Sequence, residues 1–419
     1  MAAAASHAAG RFPFTDYRQA DFFPILPWDP LHGWDGKVTE FKANGLESIA
    51  ECNFNFAGFV LPKDLPKCWR LHLAAIVLPV DNTLLPPNYR KQWRELTDDE
   101  IESRIKILVT AAGSNPAAKG FFIMDEPSVK DFPALGKAVA AVKKYAPGKI
   151  AYINLFPDYA TLGAPDISQL GTSNYTEYLE RFVAEVKPQF LSYDNYMVQY
   201  SDDLNKAGAA ASYFRNLAEV RRVGQEHHLP CLQIVACNQL RPGHMIPSPA
   251  NLRLQAYTTL AAGFRGVTWY TYYDRGYKFA PVNIEGKRSL TWESLQEVNR
   301  QVSRLAPVLS RLSSTGIYFT APPPGTGLPT LPGRLVGTVT SSTPMMLGEF
   351  KSPDRDDYIM VVNLSLQRSG NFSLASRKPP DFLQEVSTID GALRTYAPGQ
   401  DGFWLTAGQG VLLKLGKSK

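Results

Sequence analysis

Residues 120–128 read GFFIMDEPS, an apolar run that ends on Asp125 and Glu126 and is stopped by Pro127. A short apolar run of this kind is expected to be a buried strand, and neighbours on a strand point to opposite sides. One carboxyl of the pair can therefore enter a pocket while the other turns aside, unless the backbone bends at the proline. Two close carboxyls in an apolar setting raise one another's pKa, which keeps a glutamic acid protonated near neutrality. Such a group can protonate a leaving oxygen. Glu126 is thus the expected general acid, and Asp125 would tune it or hold a substrate hydroxyl. The second catalytic carboxylate should come from another strand end. Asp194, in QFLSYDNY (189–196), is placed for that, although it could also simply order the loop after its strand.

These groups need a scaffold. Between about residue 20 and residue 312, eight apolar runs (22–28, 48–60, 70–78, 120–124, 149–156, 189–196, 230–238 and 266–273) alternate with helical patterns at 98–113, 131–148, 172–188, 209–228 and 248–263. Thr97 and Ser248-Pro249 are start signals, and Gly148 and Gly263 follow helix ends. Strands alternating with helices imply a parallel sheet. Eight such units in under 300 residues predict a (β/α)8 TIM barrel. A doubly wound sheet would carry a Gly-rich phosphate loop after its first strand, where this chain reads WDPLHGWDG. A helix over 291–312 would close the barrel.

Beyond APPPGTGLPTLPG (321–333) the apolar period becomes two, in LVGTVTSS, MMLGEF, YIMVVNLS, GNFSLAS and GVLLKL. A small antiparallel β-sandwich is expected there. The predicted division is a flexible arm at 1–20, a catalytic barrel at 21–314, a Pro/Gly-rich linker at 315–334 and the sandwich at 335–419.

Side chains at the C-terminal ends of barrel strands face the active site. Read in that way, Trp28, Asp29, Asn55, His72, Asn154, Tyr193, Tyr196, Asn238, Trp269 and Tyr270 would surround the carboxyls and bind substrate. Carboxylates and amides suit hydroxyl groups, and flat aromatic faces suit sugar rings. Each also has a plainer reading: the tryptophans as core, His72 as a satisfied core histidine, Asn55 as a turn cap, Asp29 as a partner of an arginine.

Other classes find little support. The net charge of +5 is scattered, with no basic stripe of the kind that binds nucleic acid. No apolar run reaches the ~20 residues that span a bilayer. The start, MAAAASHAAGRFPF, has no basic n-region and reads as an unstructured arm or as what remains where a signal was removed. Four cysteines are too few for a disulfide framework; Cys231 and Cys237 read as buried thiols, and Cys52 and Cys68 could pair in an oxidising compartment. No metal-ligand spacing occurs, so neither metal nor cofactor is expected.

The strand ending DEP resembles the fourth strand of clan A glycoside hydrolases, in which Asn-Glu-Pro presents the general acid/base. QFLSYDNY is similar to that clan's sixth strand and GVTWYTYYD to its eighth, and the C-terminal strands resemble the β-sandwich that many of these enzymes carry. The resemblance implies a secreted, extracellular or periplasmic glycosidase acting on oligo- or polysaccharide. Clan A places its nucleophilic glutamate at the end of strand seven, and here PCLQIVACNQL holds no acidic residue. LSYD (191–194), Trp269 and the adjacent Asp-Glu are also similar to chitinase-type and hexosaminidase-type enzymes, in which the N-acetyl group of the substrate replaces the protein nucleophile. Two further readings stay open: a carbohydrate-binding protein without turnover, and a barrel with other hydrolytic or lyase chemistry, which convergence of Asp29, His72 and Glu126 on a metal would favour.

Overall fold

Thr97 accepts the backbone N–H of Glu100 at 3.3 Å, and the Glu100 carboxylate takes the Thr97 N–H at 2.8 Å, so a capping box starts α3 (Asp98–Ala112). Ser248 caps α7 (Pro249–Ala261) through Asn251, with Pro249 in the first turn. Both starts fall where the sequence signals place them. The computed structural model describes residues 22–33, 45–78, 91–201, 204, 208–378, 380, 382–396 and 402–416. The expected arm at 1–20 lies outside the described residues.

The parallel strands are β1 (Ile25–Pro27), β2 (Phe56–Val60), β3 (Ala74–Val77), β4 (Ala118–Asp125), β5 (Ile150–Asn154), β6 (Leu191–Asp194), β7 (Cys231–Ala236) and β8 (Val267–Tyr270). They form two four-stranded arcs, β2-β3-β4-β5 and β1-β8-β7-β6. One seam is closed by the Leu155–Tyr193 bridge, in which the Leu155 N–H reaches the Ser192 carbonyl at 2.8 Å. At the other, a Cβ on Gly58 would stand 1.7 Å from the Pro27 carbonyl oxygen, so β1 and β2 approach through a position only glycine can fill. The remaining helices are α1 (Gly45–Glu51), α2 (Leu65–Arg70), α4 (Phe132–Tyr145), α5 (Tyr175–Arg181), α6 (Ala209–Glu226) and α8 (Leu290–Leu309). Among the described residues no helix is long and apolar enough to cross a membrane.

The period-2 alternation of the strands divides their side chains between two cores. Leu26, Trp28, Phe56, Phe59, Ile76, Ile150, Tyr152, Leu232 and Ile234 fill the barrel, whereas Tyr193, Trp269, Val235 and the helix faces form the outer layer. Cys52 and Cys68 are both buried and free, so the possible disulfide between them is absent.

Behind the barrel stands a β-sandwich. Its six-stranded sheet runs β15 (Leu393–Tyr396), β14 (Phe382–Val386), β17 (Gly410–Gly416), β12 (Asp357–Asn363), β11 (Met345–Lys351), β9 (Ser313–Phe319). The facing sheet is β10 (Val336–Ser341), β13 (Gly370–Ser376), β16 (Phe403–Leu405). Residues 315–319, expected as the start of a linker, are strand: β9 pairs with β11. The sandwich packs on α7, where a Cβ at Gly348 would meet the Ala261 carbonyl oxygen at 2.0 Å. Arg253 binds the Ala407 carbonyl across this contact at 2.9 Å.

Candidate active site

Ser192 and Asp194 lie on the inward face of β6, and Tyr152 and Asn154 on the inward face of β5 beside it. Tyr152 shares a 3.0 Å hydrogen bond with Ser192, whose hydroxyl donates to the Asn154 side-chain carbonyl at 3.1 Å. That contact fixes the orientation of the amide. Its two N–H bonds then go to Asp194 at 2.9 Å and to Asp125 at 3.1 Å, so one asparagine spans two carboxyls from different strands.

Glu126 completes the cluster through a backbone device. Its φ is +47°, in the left-handed region that costs a non-glycine residue on the order of 1–3 kcal/mol. The bend breaks the strand alternation immediately after Asp125. Three bonds hold it: the Glu126 N–H donates to the Asn154 carbonyl at 2.9 Å, buried Tyr178 donates to the Pro127 carbonyl at 2.8 Å, and the Ser128 N–H reaches Asp131 at 3.1 Å. The Glu126 and Asp194 carboxyls are hydrogen-bonded to each other.

All three acids are held toward their protonated forms. Burial, then the charge of Asp125, pushes Glu126 up to about 7, against the opposing hydrogen bond with Asp194. Protein surrounds Asp125 closely although solvent reaches it, and this desolvation raises it to about 6, against the bond from Asn154. Asp194 is buried and stands well above the ordinary carboxylate range, first from desolvation and then from Glu126 and Asp125. A hydrogen-bonded, desolvated carboxyl pair of this kind shares a proton near neutrality.

Aromatic rings border the cluster. Tyr196 stacks on Tyr270 with centroids 5.1 Å apart, and Tyr270 donates to the Tyr277 hydroxyl at 3.2 Å. Tyr159, in the loop after β5, is 45% exposed, and its phenol is pushed up by desolvation and by the nearby Asp194 and Glu126. Tyr159, Tyr277, Tyr152 and Ser192 are not among the residues expected from the sequence. Ser192 and Tyr152 were legible in principle, since they share a strand parity with Asp194 and Asn154.

Of the residues expected to bind substrate, Asn154, Tyr196 and Tyr270 meet the carboxyls at the mouth. Four others stand elsewhere. Asn55 precedes β2 and clasps β1, accepting the Ile25 N–H at 2.7 Å and donating to the Phe23 carbonyl at 2.8 Å. His72 precedes β3, at the opposite end of the barrel, because the strand starts at Ala74 and not at 70. Tyr193 is wholly buried in the outer core, with parity opposite to Asp194. Trp269 is also wholly buried there, its indole N–H donating to Asn299 at 2.9 Å, so no ring face is free for a sugar.

Three more are spent on the framework. Trp28 is buried against Phe59, Phe122 and Tyr152 in the barrel core. Asp29 pairs with Arg275 and accepts the Tyr273 N–H at 2.8 Å, tying the loop after β8 to β1; burial still raises it to about 6. Asn238 is buried and donates to Thr271 at 2.9 Å. Asp29, His72 and Glu126 do not converge, and no group of potential metal ligands occurs among the described residues.

With the carboxyls at the C-terminal end of a barrel backed by a sandwich, comparison with solved structures becomes informative. An α-amylase from Anoxybacillus, described as belonging to a new glycosyl hydrolase subclass, aligns over 96% of this chain and 99% of its own, with a TM-score of 0.53 and 10% identity. The chain shares its fold. A protein described as a glycoside hydrolase aligns over 95% and 93% with a TM-score of 0.54 and 11% identity. A glycoside hydrolase family 5 protein from Bacteroides vulgatus aligns over 94% and 90%, at 0.53 and 10%. No protein-family model and no curated protein matches the sequence. These likenesses extend through barrel and sandwich together, and at such identities they speak for architecture.

Proposed function

We propose that the protein is a glycoside hydrolase in which Glu126 is the general acid. The observation that carries this is the meeting of Asp125, Glu126 and Asp194 at the C-terminal mouth of the barrel, with Glu126 raised to about 7. Protonated near neutrality and bent into the mouth, Glu126 can deliver its proton to a glycosidic oxygen as the bond to the sugar breaks. Asp194 lies beside Glu126, which keeps its proton until it is delivered, and Asn154 holds Asp194 and Asp125 in register. Tyr196, Tyr270 and the exposed Tyr159 offer ring faces to a sugar. Under this reading the substrate is an oligo- or polysaccharide, met extracellularly or in the periplasm.

One observation favours substrate assistance over a protein nucleophile. β7 ends at Ala236 and is followed by Cys237 and Asn238, so no carboxylate stands at its end. An N-acetyl group on the substrate would then attack the anomeric carbon, with Asp194 orienting it.

The test is turnover of wild type and Glu126→Gln on a panel of aryl glycosides that includes N-acetylhexosaminides. Product release by wild type that falls ~10²-fold or more in the variant supports the assignment. Equal turnover by both proteins overturns it, and tight glycan binding without turnover by wild type replaces it with a binding protein.

A further inference from the structure

A cavity of about 970 Å³ opens at the end of the barrel opposite the carboxyl cluster. Its walls come from the segments that enter β6, β7 and β8, from the ends of α6 and α8, and from β9 with the β11–β12 turn. Three arginines line it: Arg221 on α6, Arg265 just before β8, and Arg311 just after α8. No aspartate or glutamate lines it. Arg221 donates to the Ser314 hydroxyl at 2.9 and 3.2 Å, and Arg265 donates to the Leu312 carbonyl at 3.1 Å. Among the described residues none of the three guanidiniums pairs with a carboxylate.

Arg221 and Arg265 are partly buried and Arg311 stands at the rim; a partly buried arginine without a counter-charge is costly, and an anion that reaches both removes the cost. The planar guanidinium fork matches the oxygens of phosphate and sulfate. We propose that this cavity is a binding site for a tetrahedral oxyanion, phosphate or sulfate, carried on a small molecule or free, held by Arg221, Arg265 and Arg311. Desolvation by burial lowers the pKa of both Arg221 and Arg265. The volume exceeds that of one ion, so there is room for an anion carried on a larger molecule. Because Ser314 and Leu312 belong to the passage into β9, the bound anion would also link the barrel to the sandwich. The site is independent of the chemistry at Glu126.

Titration calorimetry at constant ionic strength tests this with inorganic phosphate, sulfate and a hexose phosphate, using wild type, Arg265→Gln and Arg311→Gln. Saturable binding to wild type, weakened at least ~10-fold in each variant, is expected from the loss of a charge-assisted pair. Tighter binding of the hexose phosphate than of inorganic phosphate would identify an organic ligand, and the reverse a free ion. Arg311 is exposed, so its variant keeps the test decisive if Arg265→Gln fails to fold. No saturable binding to wild type, or equal binding to wild type and Arg311→Gln, overturns the proposal.

Discussion

Asn154 donates to Asp194 at 2.9 Å with one N–H of an amide whose other N–H is held by Asp125. The amide is thereby the hinge of the carboxyl cluster, and it lowers the pKa of each acid it touches. Replacing it by alanine should raise both. The acidic limb of the kcat/KM profile, which reports carboxyls that must be ionised, should then move to higher pH, and kcat/KM should fall by about 10- to 100-fold. An unchanged pH profile in Asn154→Ala would mean that the bridge does not act on the chemistry.

Activity should also be lost on the alkaline side. A general acid works while protonated, so kcat/KM should decline as pH rises through about 7, the value to which Glu126 is pushed. A wild-type profile that stays flat from pH 6 to 9 would count against Glu126.

The same group carries a stability signature of opposite sense to an ordinary paired carboxylate. Its folded pKa of about 7 lies above the ordinary glutamate value of 4.5, so the folded state binds the extra proton between those limits. Stability contributed by this proton is fully present below pH 4.5 and is lost as pH rises through 7. Glu126→Gln should therefore melt higher than wild type at pH 8, and the two should converge near pH 4. A melting difference that does not change with pH would contradict the desolvation argument.

Trp269 and Tyr270 are neighbours with opposite duties. Trp269→Phe removes a buried indole and strands the Asn299 side-chain amide oxygen, at a cost of about 1–3 kcal/mol in stability with KM unchanged. Tyr270→Ala removes one ring of the Tyr196–Tyr270 stack and should raise KM several-fold. Chemical denaturation and steady-state kinetics on both variants separate the two roles, and the reversed pattern would refute them.

In the sandwich, Glu349 is wholly buried and accepts the N–H groups of Arg334, Leu335 and Val336 at 2.9–3.0 Å. Glu349→Ala orphans three backbone donors and should cost at least ~2–3 kcal/mol, read as a lower denaturation midpoint. A midpoint within error of wild type would show that these donors find other partners.

The barrel and the sandwich were legible because apolar period alone distinguishes strands that alternate with helices from strands that follow one another. Strand ends were harder. Asn55 and His72 are expected at the mouth because apolar residues of α1 and α2 run on into β2 and β3, and nothing in that run marks where helix gives way to strand. Tyr193 and Trp269 were placed there by proximity in sequence, although parity with Asp194 and Tyr270 sends both outward. Glu126 was legible as a residue but not as a geometry, since nothing in DEP announces a positive φ. The arginines of the lower cavity come from elements far apart in the chain and meet only in the fold.

The claim that Glu126 is the proton donor is tested most directly by the leaving-group dependence of Glu126→Gln. A good leaving group such as dinitrophenol departs without a proton, whereas a sugar or alkyl alcohol needs one. On a glycoside that wild type cleaves, the account predicts near-wild-type bond cleavage by Glu126→Gln with the dinitrophenyl group and a loss of ~10²-fold or more with the sugar leaving group. An equal loss with both leaving groups, or none with either, would contradict it.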